Sequence, residues 1–161
     1  MPVSSSGNAY EYAATTMRKW IESAVLVRDS TPSFTLYRMK FTDSTGKQRN
    51  VVGVIGALEV VDEGSGGVLP HERTTPKAKT DRLELTRATD ANLSPVWGLS
   101  LANGLSQLLA EPAELMGSVT DNNGVVHSVE RVTDKSRITA ISTAISSQPV
   151  VIADGHHRYA I

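Results

Sequence analysis

Two short turns, each lying between stretches rich in β-branched and aromatic residues, limit most strongly what this chain can fold into. The first is Asp43-Ser44-Thr45-Gly46 and the second is Asp121-Asn122-Asn123-Gly124. Asp and Gly favour turns, and an Asn-Gly pair readily adopts the positive φ angles of hairpins. Each turn therefore predicts a β-hairpin.

The flanking strands are predicted at residues 34–41 and 49–61 for the first hairpin, and at residues 115–120 and 125–132 for the second. In the first return strand, Gly53 and Gly56 are predicted to mark bulges or close approaches of the backbone.

Helices are predicted where apolar residues recur at steps of three and four. Residues 9–25 and 134–146 follow this period, and residues 105–110 form a shorter helix after an Asn-Gly turn. A further, unusually polar helix is predicted at residues 79–91, with Thr80 as its N-cap. Two more strands are predicted at residues 96–101 and 149–153. The fold class is therefore α+β, a mixed β-sheet with flanking helices, in a single domain over residues 1–161.

Composition excludes several classes of function. The 161 residues carry 16 Lys and Arg against 17 Asp and Glu, so no positive field attracts nucleic acid. There is no cysteine, which excludes thiolate metal sites and thiol nucleophiles. No apolar run approaches the roughly 20 residues of a membrane span, and the first seven residues are unlike a signal peptide. We expect a cytoplasmic protein with neither nucleic acid nor membrane as partner.

The clearest candidate site follows the apolar run at residues 149–153, which is suited to a strand buried on both faces. Asp154, Gly155, His156, His157 and Arg158 come next, where a helix would begin. Gly155 lets the backbone approach a ligand closely, and the first N–H groups of a helix have no partner within it. Arg158 offers a planar fork for two phosphate oxygens, and a histidine adds a donor. The predicted ligand is a phosphate or phosphoryl group.

A plainer interpretation of the same residues stays open. Asp154 then caps a helix, Gly155 turns the chain, and the polar run is a solvated surface. Adjacent histidines cannot share one helix face, which disfavours a metal held by both His156 and His157 and leaves Asp154 with one histidine as a candidate.

A second polar cluster lies at residues 71–74. Here Glu72 is a candidate base or metal ligand, and His71 would orient it or donate to a phosphate. The alternative is an ordinary charged loop. His127, isolated within the second hairpin, is interpreted as structural or surface-exposed.

Three blocks of the sequence resemble bacterial proteins catalogued as domain of unknown function 1015. The blocks are residues 68–74, 81–95 and 152–159, and their order and separations match as well. The resemblance runs from about Tyr10 to Ile161. Because members of that family are usually more than twice this length, we expect this chain to be an N-terminal portion of a longer protein.

The last block is also similar to the Gly-x-x-Arg phosphate-binding motif of the ParB and sulfiredoxin superfamily. The position of the sulfiredoxin cysteine is His156 here, which excludes that chemistry, and no helix-turn-helix supports a ParB-like role. The remaining branch is that of free-serine kinases.

This second resemblance implies a nucleotide-dependent small-molecule kinase, which uses ATP or ADP with Mg²⁺ to phosphorylate a hydroxyl such as that of L-serine. Gly155, His156, His157 and Arg158 would then bind phosphates. We assign the role of base to Glu72, with His71 beside it, from residue type; Asp154 would assist the base or hold Mg²⁺, for which Glu72 is the other candidate ligand. The alternatives are a non-catalytic nucleotide sensor and a phosphoesterase, and the oligomeric state stays open.

Overall fold

The computed structural model describes residues 6–62, 64–70 and 76–161, with the backbone alone for residues 6–8 and 76–79. Its helices are α1 (Ser6–Glu22), α2 (Pro76–Thr89), α3 (Leu105–Ala110), α4 (Lys135–Ser146) and α5 (His156–Tyr159). Its strands are β1 (Phe34–Thr42), β2 (Gln48–Ile55), β3 (Val68–Leu69), β4 (Trp97–Ser100), β5 (Glu114–Thr120), β6 (Val126–Val132) and β7 (Val150–Asp154). This mixture of sheets and helices confirms the α+β class.

The described residues divide into two compact units. The first comprises those of Met1–Arg28, Leu69–Leu99 and Val151–Ile161, and the second those of Asp29–Val68 and Ser100–Val150. Each unit is built from segments that are distant in sequence. That residues 1–161 form one domain stays a prediction.

The second unit contains a four-stranded antiparallel sheet in the order β2-β1-β6-β5, which confirms both hairpins. In each turn one aspartate oxygen accepts two backbone N–H groups. Oδ1 of Asp43 accepts from Thr45 at 2.9 Å and Lys47 at 3.0 Å, and Oδ1 of Asp121 accepts from Asn123 and Val125, both at 2.9 Å. The aspartates therefore organise the turns in which Gly46 and Gly124 supply positive φ.

Two details of the first hairpin correct the sequence-based expectation. Strand β2 ends at Ile55, so residues 56–61 do not continue it. Gly53 pairs with Tyr37 in an unbroken register and is not a bulge, whereas Gly56 is a close approach, because a Cβ there would collide with the Phe34 ring. The described bulge lies in β5, between Leu115 and Gly117.

The hydrophobic core of the second unit forms where α3 and α4 meet the sheet. Its buried residues are Leu36, Leu105, Leu109, Val132 and Ile141. Helix α4 begins as predicted, since the Asp134 carboxylate accepts a hydrogen bond from the Arg137 N–H at 2.8 Å. This capping bond fixes where α4 starts and so directs Ile141 into the core.

In the first unit α1 packs against α2, and the Tyr10 hydroxyl donates to Oδ1 of Asp81 at 2.7 Å. Helix α1 is confirmed, although it ends at Glu22. Helix α2 begins at Pro76, so Thr80 lies within the helix, and its prediction as the N-cap is wrong. Proline suits the first helical turn because its missing N–H has no partner there in any case.

The second sheet has the order β3-β7-β4. Val150 and Ile152 of β7 are buried, and Val151 and Ala153 between them are half-buried. The strand predicted at residues 149–153 is therefore present at Val150–Asp154, with one face buried and the other half-buried, and it leads directly to the candidate site. Among the described helices, none combines the length and the apolar character that crossing a bilayer would require.

Candidate functional site

The candidate site is built on a sharp change of backbone direction after β7. Gly155 has φ 95 and ψ 25, the left-handed conformation that favours glycine, and α5 starts immediately after it. The N–H groups of Arg158 and Tyr159 both donate to the Gly155 carbonyl, at 2.9 and 3.0 Å. The strand, glycine and helix start expected from the sequence are therefore all present.

The Arg158 guanidinium folds back against Gly155. A Cβ placed on Gly155 would lie 2.7 Å from one terminal nitrogen and 2.9 Å from Nε. Both values are far below ordinary contact distances, so a side chain at this position would force the guanidinium to move. Gly155 thus suits the turn through its positive φ and lets Arg158 lie against the backbone.

Arg158 has two side-chain partners. One terminal nitrogen donates to Oδ2 of Asp154 at 2.8 Å, and the other donates to the Ser94 hydroxyl at 3.2 Å. Its Nε is enclosed and has no partner among the described residues. The guanidinium therefore already holds one carboxylate.

The Asp154–Arg158 pair lies at the surface. The Asp154 side chain is 71% exposed and that of Arg158 30%. Exposed pairs of this kind contribute about 0–1 kcal/mol, because water and salt screen them. The pair therefore adds little to the stability of the turn.

The two histidines occupy different environments. His156 is buried, whereas His157 is half-buried with an enclosed Nδ1 that has no partner among the described residues. Successive residues on a helix point about 100° apart, which explains the difference. Within the part of the chain that is described, no three His, Asp or Glu side chains are grouped to hold a metal ion.

Ser94 is a contact of Arg158 that the sequence-based prediction of the site did not include. Two other candidate residues, His71 and Glu72, lie outside the residues that the structure describes. Ser94 is 64 positions from Arg158, and the sequence carries no signal for their contact beyond its place in a block that resembles a family. The structure thus brings together Asp154, Gly155 and Arg158, and the roles of His71 and Glu72 stay predictions.

These features define an α+β protein with an antiparallel sheet, flanking helices and a strand–glycine–helix turn that presents arginine and histidine. A family model described as "Protein of unknown function (DUF1015)" matches residues 2–161, and the chain belongs to that family. The resemblance drawn from the three sequence blocks is thereby confirmed. Comparison with curated proteins gives no match, and comparison with solved structures gives none. The similarity to the ParB and sulfiredoxin superfamily stays a prediction.

Proposed function

We propose that the turn at residues 154–158 binds phosphate, and that the protein is a nucleotide-dependent kinase of a small hydroxyl compound, with free L-serine as the first candidate. The observation that carries this proposal is the Arg158 guanidinium, held against Gly155 with a carboxylate oxygen 2.8 Å away. A guanidinium fixed in this way is already oriented towards an oxyanion.

The hydrogen bonds that each partner can make to the Arg158 guanidinium favour phosphate over the Asp154 carboxylate. Both partners accept charge-assisted hydrogen bonds, but the Asp154 carboxylate accepts one from the guanidinium, whereas a phosphate can accept two. The exposed Asp154 pair contributes about 0–1 kcal/mol. Phosphate is therefore expected to take the guanidinium and release the Asp154 carboxylate.

The released carboxylate would then lie beside the phosphate, where Mg²⁺ finds suitable ligands. This ion is commonly bound by one or two carboxylates together with phosphate oxygens and water, so Asp154 fits although the described residues hold no three-residue metal cluster. When bound, Mg²⁺ would neutralise charge on the nucleotide phosphates. ATP or ADP is the proposed phosphate donor.

In the proposed reaction, the substrate hydroxyl oxygen forms a bond to the terminal phosphorus as the bond to the leaving nucleotide breaks. Glu72 takes the hydroxyl proton, with His71 orienting it. Arg158, His156 and His157 donate to the phosphoryl oxygens, over which negative charge spreads in the transition state. The contribution of this chain is mainly positioning and charge stabilisation.

The test is incubation of the full chain with Mg-ATP or Mg-ADP and L-serine, followed by phosphorus NMR and mass spectrometry for phosphoserine. Glu72→Gln should abolish turnover while nucleotide affinity is kept, because the base does not hold the phosphates. If the folded protein yields no phosphoserine with either nucleotide, the serine kinase proposal is wrong. If the Glu72→Gln variant still phosphorylates serine, Glu72 is not the base.

A non-catalytic nucleotide sensor is the second candidate, and the Asp154–Arg158 pair favours it specifically. Phosphate binding would break this pair and expose a free carboxylate, which changes the charge pattern that a partner protein meets. Calorimetry with ATP and ADP separates the two candidates, because a sensor binds nucleotide without consuming it. Binding without turnover supports the sensor.

A further inference from the structure

A second group of reactive side chains lies on the antiparallel sheet of the second unit. Tyr37 of β1 and His127 of β6 share one face, because His127 pairs with Met39, two residues along from Tyr37. The Tyr37 hydroxyl is 2.6 Å from Nδ1 of His127, and the two rings are stacked 13° from parallel. The phenol and the imidazole are therefore in direct hydrogen-bond contact.

Asp121 completes a chain of three groups. Its Oδ2 is 3.3 Å from Nε2 of His127, while its Oδ1 accepts the N–H groups of Asn123 and Val125. The hydrogen bond from the Val125 N–H lowers the pKa of the Asp121 carboxyl, burial opposes this, and the hydrogen bond with His127 lowers it further. The carboxylate is thus charged at neutral pH and fixed by its own turn.

This arrangement favours one tautomer of the neutral His127 ring. A charged carboxylate beside Nε2 favours the tautomer with the proton on Nε2, because that proton can then be donated to Asp121. Nδ1 is left as an acceptor, and the Tyr37 hydroxyl donates to it. The order Asp–His–hydroxyl is the one that activates a hydroxyl nucleophile through a neighbouring base.

An open groove runs beside the phenol. Its lining residues are Tyr37, Gly117, Ser118, Val119, His127 and Val129. The walls include the exposed apolar side chains of Val119 and Val129, and a Cβ built on Gly117 meets no atom within 4 Å. A small apolar group can therefore lie next to the Tyr37 hydroxyl.

We propose that Tyr37 is a nucleophile that accepts an acyl group from an activated carboxylic ester with a short apolar acyl chain. The Tyr37 oxygen forms a bond to the ester carbonyl carbon while its proton passes to Nδ1 of His127. The bond from that carbon to the ester's alkoxy oxygen then breaks, and His127 returns the proton to the leaving alkoxide, so that the alcohol departs. Water, with His127 again as base, then hydrolyses the tyrosyl ester to the free acid and restores Tyr37. Asp121 is a positioning residue, since it acts only through His127.

The experiment treats the full chain with p-nitrophenyl acetate at pH 7 and maps acetylated peptides by mass spectrometry. Tyr12, which is 73% exposed, is an internal control because it makes no described contact with a base. General-base assistance is typically worth about 10²–10⁴-fold, so Tyr37 should be acetylated at least about 100-fold faster than Tyr12. Equal rates at Tyr37 and Tyr12 overturn the proposal.

Two variants test the role of the base, His127, and the role of the groove separately. His127→Gln should remove the advantage of Tyr37 over Tyr12. Gly117→Leu should leave acetylation fast but slow a bulkier ester such as p-nitrophenyl hexanoate, because Gly117 lines the groove and a Cβ there meets no atom within 4 Å, which leaves room for a side chain to narrow the groove. If Gly117→Leu affects neither ester, or Tyr37 stays fast without His127, the assignment is wrong.

The positioning role of Asp121 needs a measurement that a purely structural role would not change. Asp121→Asn keeps an oxygen for the two turn N–H groups but removes the carboxylate from Nε2 of His127. Nitrogen NMR of the His127 ring should report a shift away from the Nε2–H tautomer, together with slower acetylation of Tyr37. An unchanged tautomer in a folded variant contradicts the role of Asp121.

Discussion

Arg38 donates from Nε to a carboxylate oxygen of Glu130 at 2.8 Å, and both residues are less than a tenth exposed. The other Glu130 oxygen accepts the Ala113 N–H at 2.9 Å, and Arg38 also donates to the Glu111 carbonyl at 2.8 Å. The pair therefore connects β1 and β6 to the chain that follows α3. Burial raises the pKa of Glu130, but the hydrogen bonds from Arg38 and the Ala113 N–H, with the nearby arginine charges, outweigh burial and lower it.

Removing one partner of this buried pair should destabilise the fold strongly. Glu130→Gln leaves the Arg38 charge uncompensated and should lower the free energy of unfolding by about 3–5 kcal/mol. Urea unfolding measures the change. The control is Arg87→Gln, which removes an exposed pair with Glu84 and should change stability by less than about 1 kcal/mol. Equal effects of the two variants would contradict this account.

The lowered pKa of Asp43 predicts how the free energy of unfolding depends on pH. Hydrogen bonds from the Thr45 hydroxyl, the Arg49 guanidinium and the Lys47 N–H lower the pKa of Asp43 to about 2. A carboxyl with a lower pKa when folded contributes stability that is present above its unfolded pKa, near 3.9, and is lost as pH falls through about 2. Asp43→Asn should therefore be less stable than the parent at pH 6, and this difference should shrink between pH 4 and pH 2. Carbon NMR titration of Asp43 checks the pKa directly, and a midpoint near 4 would disprove the assignment.

Gly56 and Gly53 provide a matched pair for the packing of the first hairpin. Gly56→Ala places a methyl group into the Phe34 ring, and overpacking of this kind costs about 1–3 kcal/mol. Gly53→Ala meets open space and should change stability far less. Thermal unfolding of both variants tests the difference. A Gly56→Ala protein as stable as Gly53→Ala would show that Phe34 moves aside without cost.

Arg158 and Asp154 should have opposite effects on anion binding. Arg158→Ala should weaken ADP binding by about 1.5–3 kcal/mol through the loss of charge-assisted contacts. Asp154→Asn should strengthen metal-free binding, because the competing carboxylate is gone, and reduce the benefit of added Mg²⁺. Calorimetry with and without Mg²⁺ measures both effects. Arg87→Ala, which removes an arginine paired with Glu84 elsewhere in the same unit, is the control. Unchanged affinity in Arg158→Ala would remove this arginine from the site.

Local features of the fold were predictable because their causes lie within a few residues. Asp43 and Asp121 organise their turns through N–H groups two and four positions away, and α4 starts at the carboxylate that caps it. The prediction of Thr80 as an N-cap is wrong because helix α2 already begins at Pro76. The Arg38–Glu130 pair was out of reach, because 92 residues separate its members and the pairing of β1 with β6 depends on the whole sheet.

The residues of the candidate site also fall into those that the sequence can predict and those that it cannot. Gly155 and the helix start could be predicted because an apolar strand runs directly into Asp-Gly. Helical spacing does not predict the Asp154–Arg158 pair, because Asp154 ends β7 and the left-handed Gly155 separates it from α5. Ser94 could not be found, because its position depends on how a distant loop folds. The sequence does not single out Tyr37 as reactive, because only the folded sheet brings His127 and Asp121 next to it.

The order β3-β7-β4 has a consequence for how the molecule is made. The middle strand of this sheet is the last of the three to leave the ribosome, so β3 and β4 lack their shared neighbour throughout the synthesis of residues 101–149. At about 5–20 residues per second, this interval lasts several seconds. The turn that presents Arg158 is therefore completed only after the antiparallel sheet of the other unit has been synthesised.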